Sequence, residues 1–303
     1  MRHALRCLRA LLNGFSQIFL QTHAGCGALV VLAILIGAPQ LLGGALLGGL
    51  SSMLAAHRRG YPAADIACGL YGYNGILLGL LISLQFAWSP CMALLIVASA
   101  GLSSLALGHW MARLRQRQWL PAFTFPFVAL GWVLMGLAPA LPLEMSTVSS
   151  ALTVTPLDGL GILLALLRGI GQVIFLDTPL AGACLWLGLL LADRRAAGWA
   201  LLGSTGGTAL ALCLGWPTEA ALAGLYGYNA CLAAIALSQV HRSPWAPALG
   251  IGLALLLQPG FTALGLAALT MPFILACWLV QASIRTWQRA VADGAPPLPR
   301  RPS

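Results

Sequence analysis

The sequence predicts an all-α polytopic membrane protein built from two inverted repeats that cross the bilayer five times each. Three observations predict it. The first is composition: of 303 residues 59% are hydrophobic and only 8% charged, with a mean hydropathy of +0.88. Soluble domains carry about 25% charged residues, so a chain this poor in charge cannot cover a water-facing surface. The second is a repeat. Gly69-Leu-Tyr-Gly-Tyr-Asn74 returns letter for letter as Gly224-Leu-Tyr-Gly-Tyr-Asn229, 155 residues later, both times inside an apolar segment. The third is the arrangement of the arginines, which supply every Lys/Arg charge of a chain with formal net charge +9.

Taken in order, apolar segments fall near 5–20, 24–38, 40–56, 66–87, 91–112 and 121–137, and again near 158–176, 179–192, 197–214, 219–238, 246–257 and 260–282. Six segments, a linker and six segments divide the chain into a first repeat (1–140), an extracytoplasmic linker (141–157), a second repeat (158–292) and a Pro-rich, disordered cytoplasmic tail (293–303). At about 20 residues per span the length allows roughly ten crossings. The N-terminal Arg2, Arg6 and Arg9 before an apolar stretch imitate a signal peptide. Asn13, Ser16 and Gln17 interrupt that stretch, and the same pattern recurs around Gln172, so it reads as mature structure.

An offset of 155 aligns more than the hexapeptides. Gln17 meets Gln172, Gly27 meets Gly182, and Gly60-Tyr61-Pro62 meets Gly215-Trp216-Pro217. Later the offset shrinks to 146, where Thr124-Phe125-Pro126-Phe127 matches Thr270-Met271-Pro272-Phe273. The second half has lost about nine residues, placed by this reading in the connection before segment 246–257.

If the first two segments of each half make one crossing together, and the other four one each, then 15 of 16 arginines fall on the cytoplasmic side, with Arg168 the exception. An odd number of crossings per repeat inverts the second half, with both termini in the cytoplasm. Segments 24–38 and 179–192 are short for a span and follow segments broken by Gly and polar residues, so discontinuous or re-entrant helices are expected there.

The charge pattern serves topology and not nucleic acid, since no basic stretch is interleaved with exposed aromatics. The eight Cys lie mostly in apolar runs without CxxC or Cys/His spacing, so no metal and no cofactor is expected. No nucleophile–base spacing or phosphate loop points to an enzyme. What stands out is two pairs of intramembrane polar residues, Gln17 with Gln172 and Thr124 with Thr270, each beside helix-interrupting Gly or Pro. One such residue alone is ordinary helix glue. Matched across an inverted repeat they converge near the pseudo-axis, where such proteins place their sites. Amide and hydroxyl oxygens without fixed charge suit a small neutral polar solute. A proton- or sodium-coupled secondary transporter of a small polar amide is the alternative, and Asp177 with His23 is its one candidate pair. His23 beside Gly25 reads as a capping or loop residue.

The two hexapeptides, Leu120-Pro-Ala-Phe-Thr-Phe-Pro-Phe127 and Arg168-Gly-Ile-Gly-Gln-Val173 resemble the urea transporter family, over nearly the whole chain and both halves. Thr22-His23 stands where that family typically has Asn-Asn. The resemblance implies five spanning helices and a tilted re-entrant half-helix per repeat, and a homotrimer in the lipid bilayer with one pore per protomer. It implies passive, channel-like passage of urea through a filter whose oxygens come from Gln17, Gln172, Thr124 and Thr270. Tyr73, Leu77, Tyr228, Leu232 and Phe175 are the candidate flanking groups; Leu20, the counterpart of Phe175, is not aromatic. Absence of Lys and compact ends suit a bacterial cell inner membrane.

Overall fold

The computed structural model describes residues 2–117, 120–146 and 156–293. Fourteen α-helices account for nearly all of it: α1 (Arg2–Gln17), α2 (Ala24–Gly37), α3 (Leu42–Arg58), α4 (Ala63–Ala67), α5 (Tyr73–Gln85), α6 (Pro90–Arg117) and α7 (Phe125–Leu137), then α8 (Gly159–Gly171), α9 (Pro179–Ala192), α10 (Arg194–Cys213), α11 (Thr218–Leu222), α12 (Tyr228–Val240), α13 (Trp245–Ala263) and α14 (Met271–Asp293). The first six helices of each set follow one another in the same order, with the five-residue helix fourth in both, while α14 (23 residues) is longer than α7 (13 residues). The expected linker keeps only 141–146 and 156–157 among the described residues, and the expected tail from 294 onward lies outside them.

Among the described residues, by length and apolar composition four helical segments can cross a membrane: Pro39–Arg58, Pro90–Gln116, Arg194–Cys213 and Trp245–Ala263. A fifth span forms if Gly159–Ile174 and Pro179–Ala192, bent by 76°, count as one. The outward faces are apolar and the inward faces hold small polar groups, the reverse of a water-soluble helix. On α6, Leu94 and Leu102 are exposed, whereas Ser99, Ser103 and Ser104 are buried. Ser52 of α3 donates to Ala100 O at 2.8 Å, which ties α3 to α6.

Two features differ from the expectation. Segments 66–87 and 219–238 are not continuous: each breaks at its hexapeptide into a five-residue helix (α4, α11) and a 13-residue helix (α5, α12). The cause is local. Gly69 and Gly224 sit at φ +80° and +81°, where an L side chain is strained and glycine is not. They end α4 and α11 with paired turn bonds, Gly69 N to Ile66 O and Leu70 N to Asp65 O in the first case, Gly224 N to Ala221 O and Leu225 N to Ala220 O in the second. A 13-residue helix is about 20 Å long, short of a hydrocarbon core of roughly 30 Å.

The second difference concerns the missing nine residues. They are not lost from the connection before α13. The links α5–α6 (86–89) and α12–α13 (241–244) are equal in length, as are α6–α7 (118–124) and α13–α14 (264–270). The loss is inside the helix itself: α6 has 28 residues and α13 has 19. The longer α6 brings Arg115 to an ion pair with Asp65, and Ala220 is the repeat mate of Asp65.

The halves touch reciprocally. Trp132 Nε1 donates to Ala267 O at 2.7 Å, and its counterpart Trp278 donates to Pro121 O at 2.8 Å. Such an i-to-j, j-to-i exchange is what a two-fold relation produces. Each half also closes α1 on α2, or α8 on α9, through one glycine. A Cβ on Gly27 would lie 1.8 Å from Leu12 O, and one on Gly182 would lie 2.0 Å from Leu167 O.

Candidate functional site

The four predicted oxygens each sit beside a turn, and all four turns carry a non-glycine residue at positive φ. Leu20 (61°) and Phe175 (64°) follow Gln17 and Gln172 by three residues; Phe123 (45°) and Leu269 (44°) immediately precede Thr124 and Thr270. These are left-handed positions that cost on the order of 1–3 kcal/mol each for a residue with a Cβ. Elsewhere the same helix-ending geometry is given to glycine, as at Gly69 and Gly224. Strain is thus concentrated beside the Gln and Thr pairs, in both halves, at matched positions.

The Gln pair ends two helices. α1 stops at Gln17, and α8 stops at Gly171 followed by a single 3-10 turn over Gln172–Ile174. Leu20 N bonds Gln17 O and Gln21 N bonds Ser16 O; Phe175 N bonds Gln172 O and Leu176 N bonds Gly171 O. The side chains are oriented alike. Gln17 Nε2 donates to Cys68 O at 3.1 Å and Gln172 Nε2 donates to Ala223 O at 3.0 Å, both carbonyls at the C-terminal ends of the short helices α4 and α11. Gln17 Nε2 also donates to Thr22 Oγ1 at 2.9 Å. With the nitrogens so occupied, the amide oxygens are the free ends: neither Oε1 accepts a hydrogen bond among the described residues.

One turn before each Gln, a second side chain holds the neighbouring carbonyl. Asn13 Nδ2 donates to Ala67 O at 2.9 Å; at the equivalent position Arg168 donates to Leu222 O at 3.1 Å and also to Asp177 O at 3.1 Å. Arg168, the one arginine that the topology rule left over, is a buried helix-end clamp. The sequence marks Asn13 as an interruption and Arg168 as a topology exception but does not pair them or give them this role, although the offset of 155 aligns them. Gly69 and Gly224 let these helices meet: a Cβ there would lie 2.2 Å from Gly14 N or 2.4 Å from Gly169 N.

The Thr pair comes together directly. Thr124 Oγ1 and Thr270 Oγ1 are 2.7 Å apart and buried, across a sequence separation of 146. One hydroxyl donates to the other, and both oxygens keep lone pairs to spare. The flanking candidates line up less evenly. Tyr73 is buried and its hydroxyl donates to Phe123 O; Tyr228 is half-buried and its hydroxyl has no hydrogen bond among the described residues. Leu77 and Leu232 are fully buried at matching positions of α5 and α12. Phe175 is half-buried, with its ring 6.3 Å from that of Phe127. His23 is the N-cap of α2, its Nδ1 accepting from Cys26 N at 3.1 Å, which is the bland role expected for it.

These residues offer four uncharged oxygens, two amide and two hydroxyl, each able to accept an N–H donor. The sequence model of one family, described as urea transporter, matches residues 8–283. A protein named urea transporter 1 from Ovis aries is 29% identical over 299 residues, covering 91% of this chain and 77% of that protein. Urea transporter 1 from Mus musculus is 31% identical over 245 residues, covering 75% of this chain and 62% of its own.

Proposed function

The chain belongs to the urea transporter family and moves urea across a membrane, without enzymatic chemistry, and from that premise we propose how its own residues conduct the solute. Urea passes downhill through a filter whose oxygens are Gln17 Oε1, Gln172 Oε1, Thr124 Oγ1 and Thr270 Oγ1. Urea is a plate with four N–H donors and one carbonyl. A narrow slot with apolar walls admits a plate and excludes a hydrated ion. Successive oxygens replace its water partners one at a time, so no single station traps it. Phe175, Tyr73, Tyr228, Leu77 and Leu232 supply the walls.

The observation that carries this reading is the Thr124–Thr270 contact, in which the two repeats present their hydroxyls to one point. The reading also places the halves in inverted topology as repeats 1–140 and 158–292, joined by an extracytoplasmic linker, 141–157. It is supported by α3, which ends at Arg58, whereas its counterpart α10 begins at Arg194 and Arg195. The assembly we propose is a homotrimer in a cell inner membrane, one pore per protomer, with both termini cytoplasmic.

Urea flux in proteoliposomes tests it. Replacing Gln172 by Ala together with Thr270→Val is expected to cut flux at least tenfold, while a membrane potential or an ionophore leaves wild-type flux unchanged. Unaltered flux in the double variant sinks the filter assignment. Collapse of flux with the ionophore would return the coupled-transporter alternative.

A further inference from the structure

A Thr that stands immediately before a helix ordinarily spends its side-chain oxygen on the backbone N–H of the second or third helical residue. Thr124 and Thr270 occupy that place before α7 and α14, yet Thr124 makes no such bond and the two hydroxyls face each other instead. Counting the N–H groups of the first turns shows why. Phe125 N is bonded to Ala122 O at 3.0 Å, and Met271 N to Ala268 O at 3.0 Å. The next residues, Pro126 and Pro272, have no N–H. Phe127 N is taken by Asn74 Oδ1 at 3.1 Å, and Phe273 N by Asn229 Oδ1 at 3.2 Å. Val128 N bonds the carbonyl of Thr124 at 3.0 Å, and Ile274 N that of Thr270 at 3.2 Å. The three positions after each threonine, those a side-chain cap would serve, are thus accounted for without its hydroxyl, and the fourth N–H already closes the first helical turn.

We propose that Asn74 and Asn229 are positioning residues for conduction: each caps the filter helix of its own half from a neighbouring helix, which releases the threonine hydroxyl to face the solute. The inference rests on the filter reading above and adds to it the role of the last letter of the repeated hexapeptide. Two independent copies of the same substitution of cap, with the same proline at the second position, carry it. Both asparagines are buried, and they sit at the first turn of α5 and α12, one residue after the tyrosines. Were Asn229 to lose its oxygen, Phe273 N would be left buried and unbonded. The acceptor a helix start ordinarily uses there is the N-cap hydroxyl, Thr270 Oγ1, turned back onto its own helix and away from the path.

The test is a mutant cycle on the full-length protein in proteoliposomes, reading urea flux against urea concentration. Asn229→Ala is expected to lower the maximal flux about as much as Thr270→Val, and the combined variant no further than either alone. Asn229→Asp, in the neutral form that full burial favours, keeps an acceptor for Phe273 N and a donor for Leu269 O, and is expected to retain flux within about threefold of wild type. Losses that multiply in the combined variant, or wild-type flux in Asn229→Ala beside an impaired Thr270→Val, would overturn the proposal. Wild-type flux in Thr270→Val overturns the filter reading itself, a different result. If Asn229→Ala does not survive purification, the same cycle at Asn74 and Thr124 decides the matter by the same outcomes.

Discussion

The two halves of the molecule keep the same oxygens in place with different side chains. In the first, Asn13 holds the end of α4; in the second, Arg168 holds the end of α11 and reaches a second carbonyl, that of Asp177. In the first, the carbonyl of Phe123 is taken by the hydroxyl of Tyr73, and Asn74 Nδ2 is left buried without a partner. In the second, the equivalent carbonyl of Leu269 is taken by Asn229 Nδ2 at 3.1 Å, and the Tyr228 hydroxyl is spare. What recurs between the halves is backbone geometry and the identity of the oxygens; what varies is how each carbonyl around them is satisfied. The proposed filter would constrain the positions of its acceptors, and several donors can fix a given position.

That difference can be probed, starting where the effect is largest. Arg168→Leu removes donors from at least two carbonyls and Asn13→Leu from one. The cost of stranding a buried acceptor is about 1–3 kcal/mol. Thermal unfolding in detergent should therefore show Arg168→Leu the more damaging by roughly the worth of one such group, and Arg168→Asn, the residue of the other half, should recover part of it. Equal losses at the two positions would mean that the second carbonyl contributes nothing. A smaller contrast is expected at the tyrosines. Tyr73→Phe strands Phe123 O and should cost about 1–2 kcal/mol, whereas Tyr228→Phe should be nearly silent in stability. Similar shifts in melting temperature for both would erase the asymmetry. The smallest effect belongs to the extension of α6. Asp65→Asn breaks its ion pair with Arg115, a side chain 51% exposed, and pairs of that kind are worth about 0–1 kcal/mol. A melting shift larger than that range implies would show that the pair anchors α4 in a way the second half manages without.

Much of the site was legible beforehand because the repeat made it so. One intramembrane Gln or Thr is uninformative; four at matched offsets are not. Gln17 with Gln172 and Thr124 with Thr270 end in matching environments in the structure, each beside a positive-φ residue. The clamp formed by Asn13 and Arg168 was overlooked because an Asn and an Arg share no side-chain class, although both are donors that reach a helix-end carbonyl. The broken helices at the hexapeptides were read as continuous apolar segments. Hydropathy averages over a window and does not register a single glycine turned to positive φ. The nine-residue loss was assigned to a connection because loops tolerate deletion most readily. Here the loss shortens a helix, and both flanking connections keep their length.

By itself the sequence determined the class of protein, the membrane environment, the repeat and the chemistry on offer, because composition and spacing are properties of the chain and need no coordinates. Only the tertiary structure decided which ends of those groups are free. An amide or a hydroxyl can donate or accept, and its direction depends on which carbonyl or N–H lies within reach. Cys68 O and Ala223 O occupy the nitrogens of the glutamines, and Asn74 and Asn229 occupy the helix starts that the threonines would otherwise cap. Those partners lie about fifty residues away in the chain, and those of the glutamines are brought close by the approach of helices at Gly69 and Gly224, a contact that no local pattern encodes.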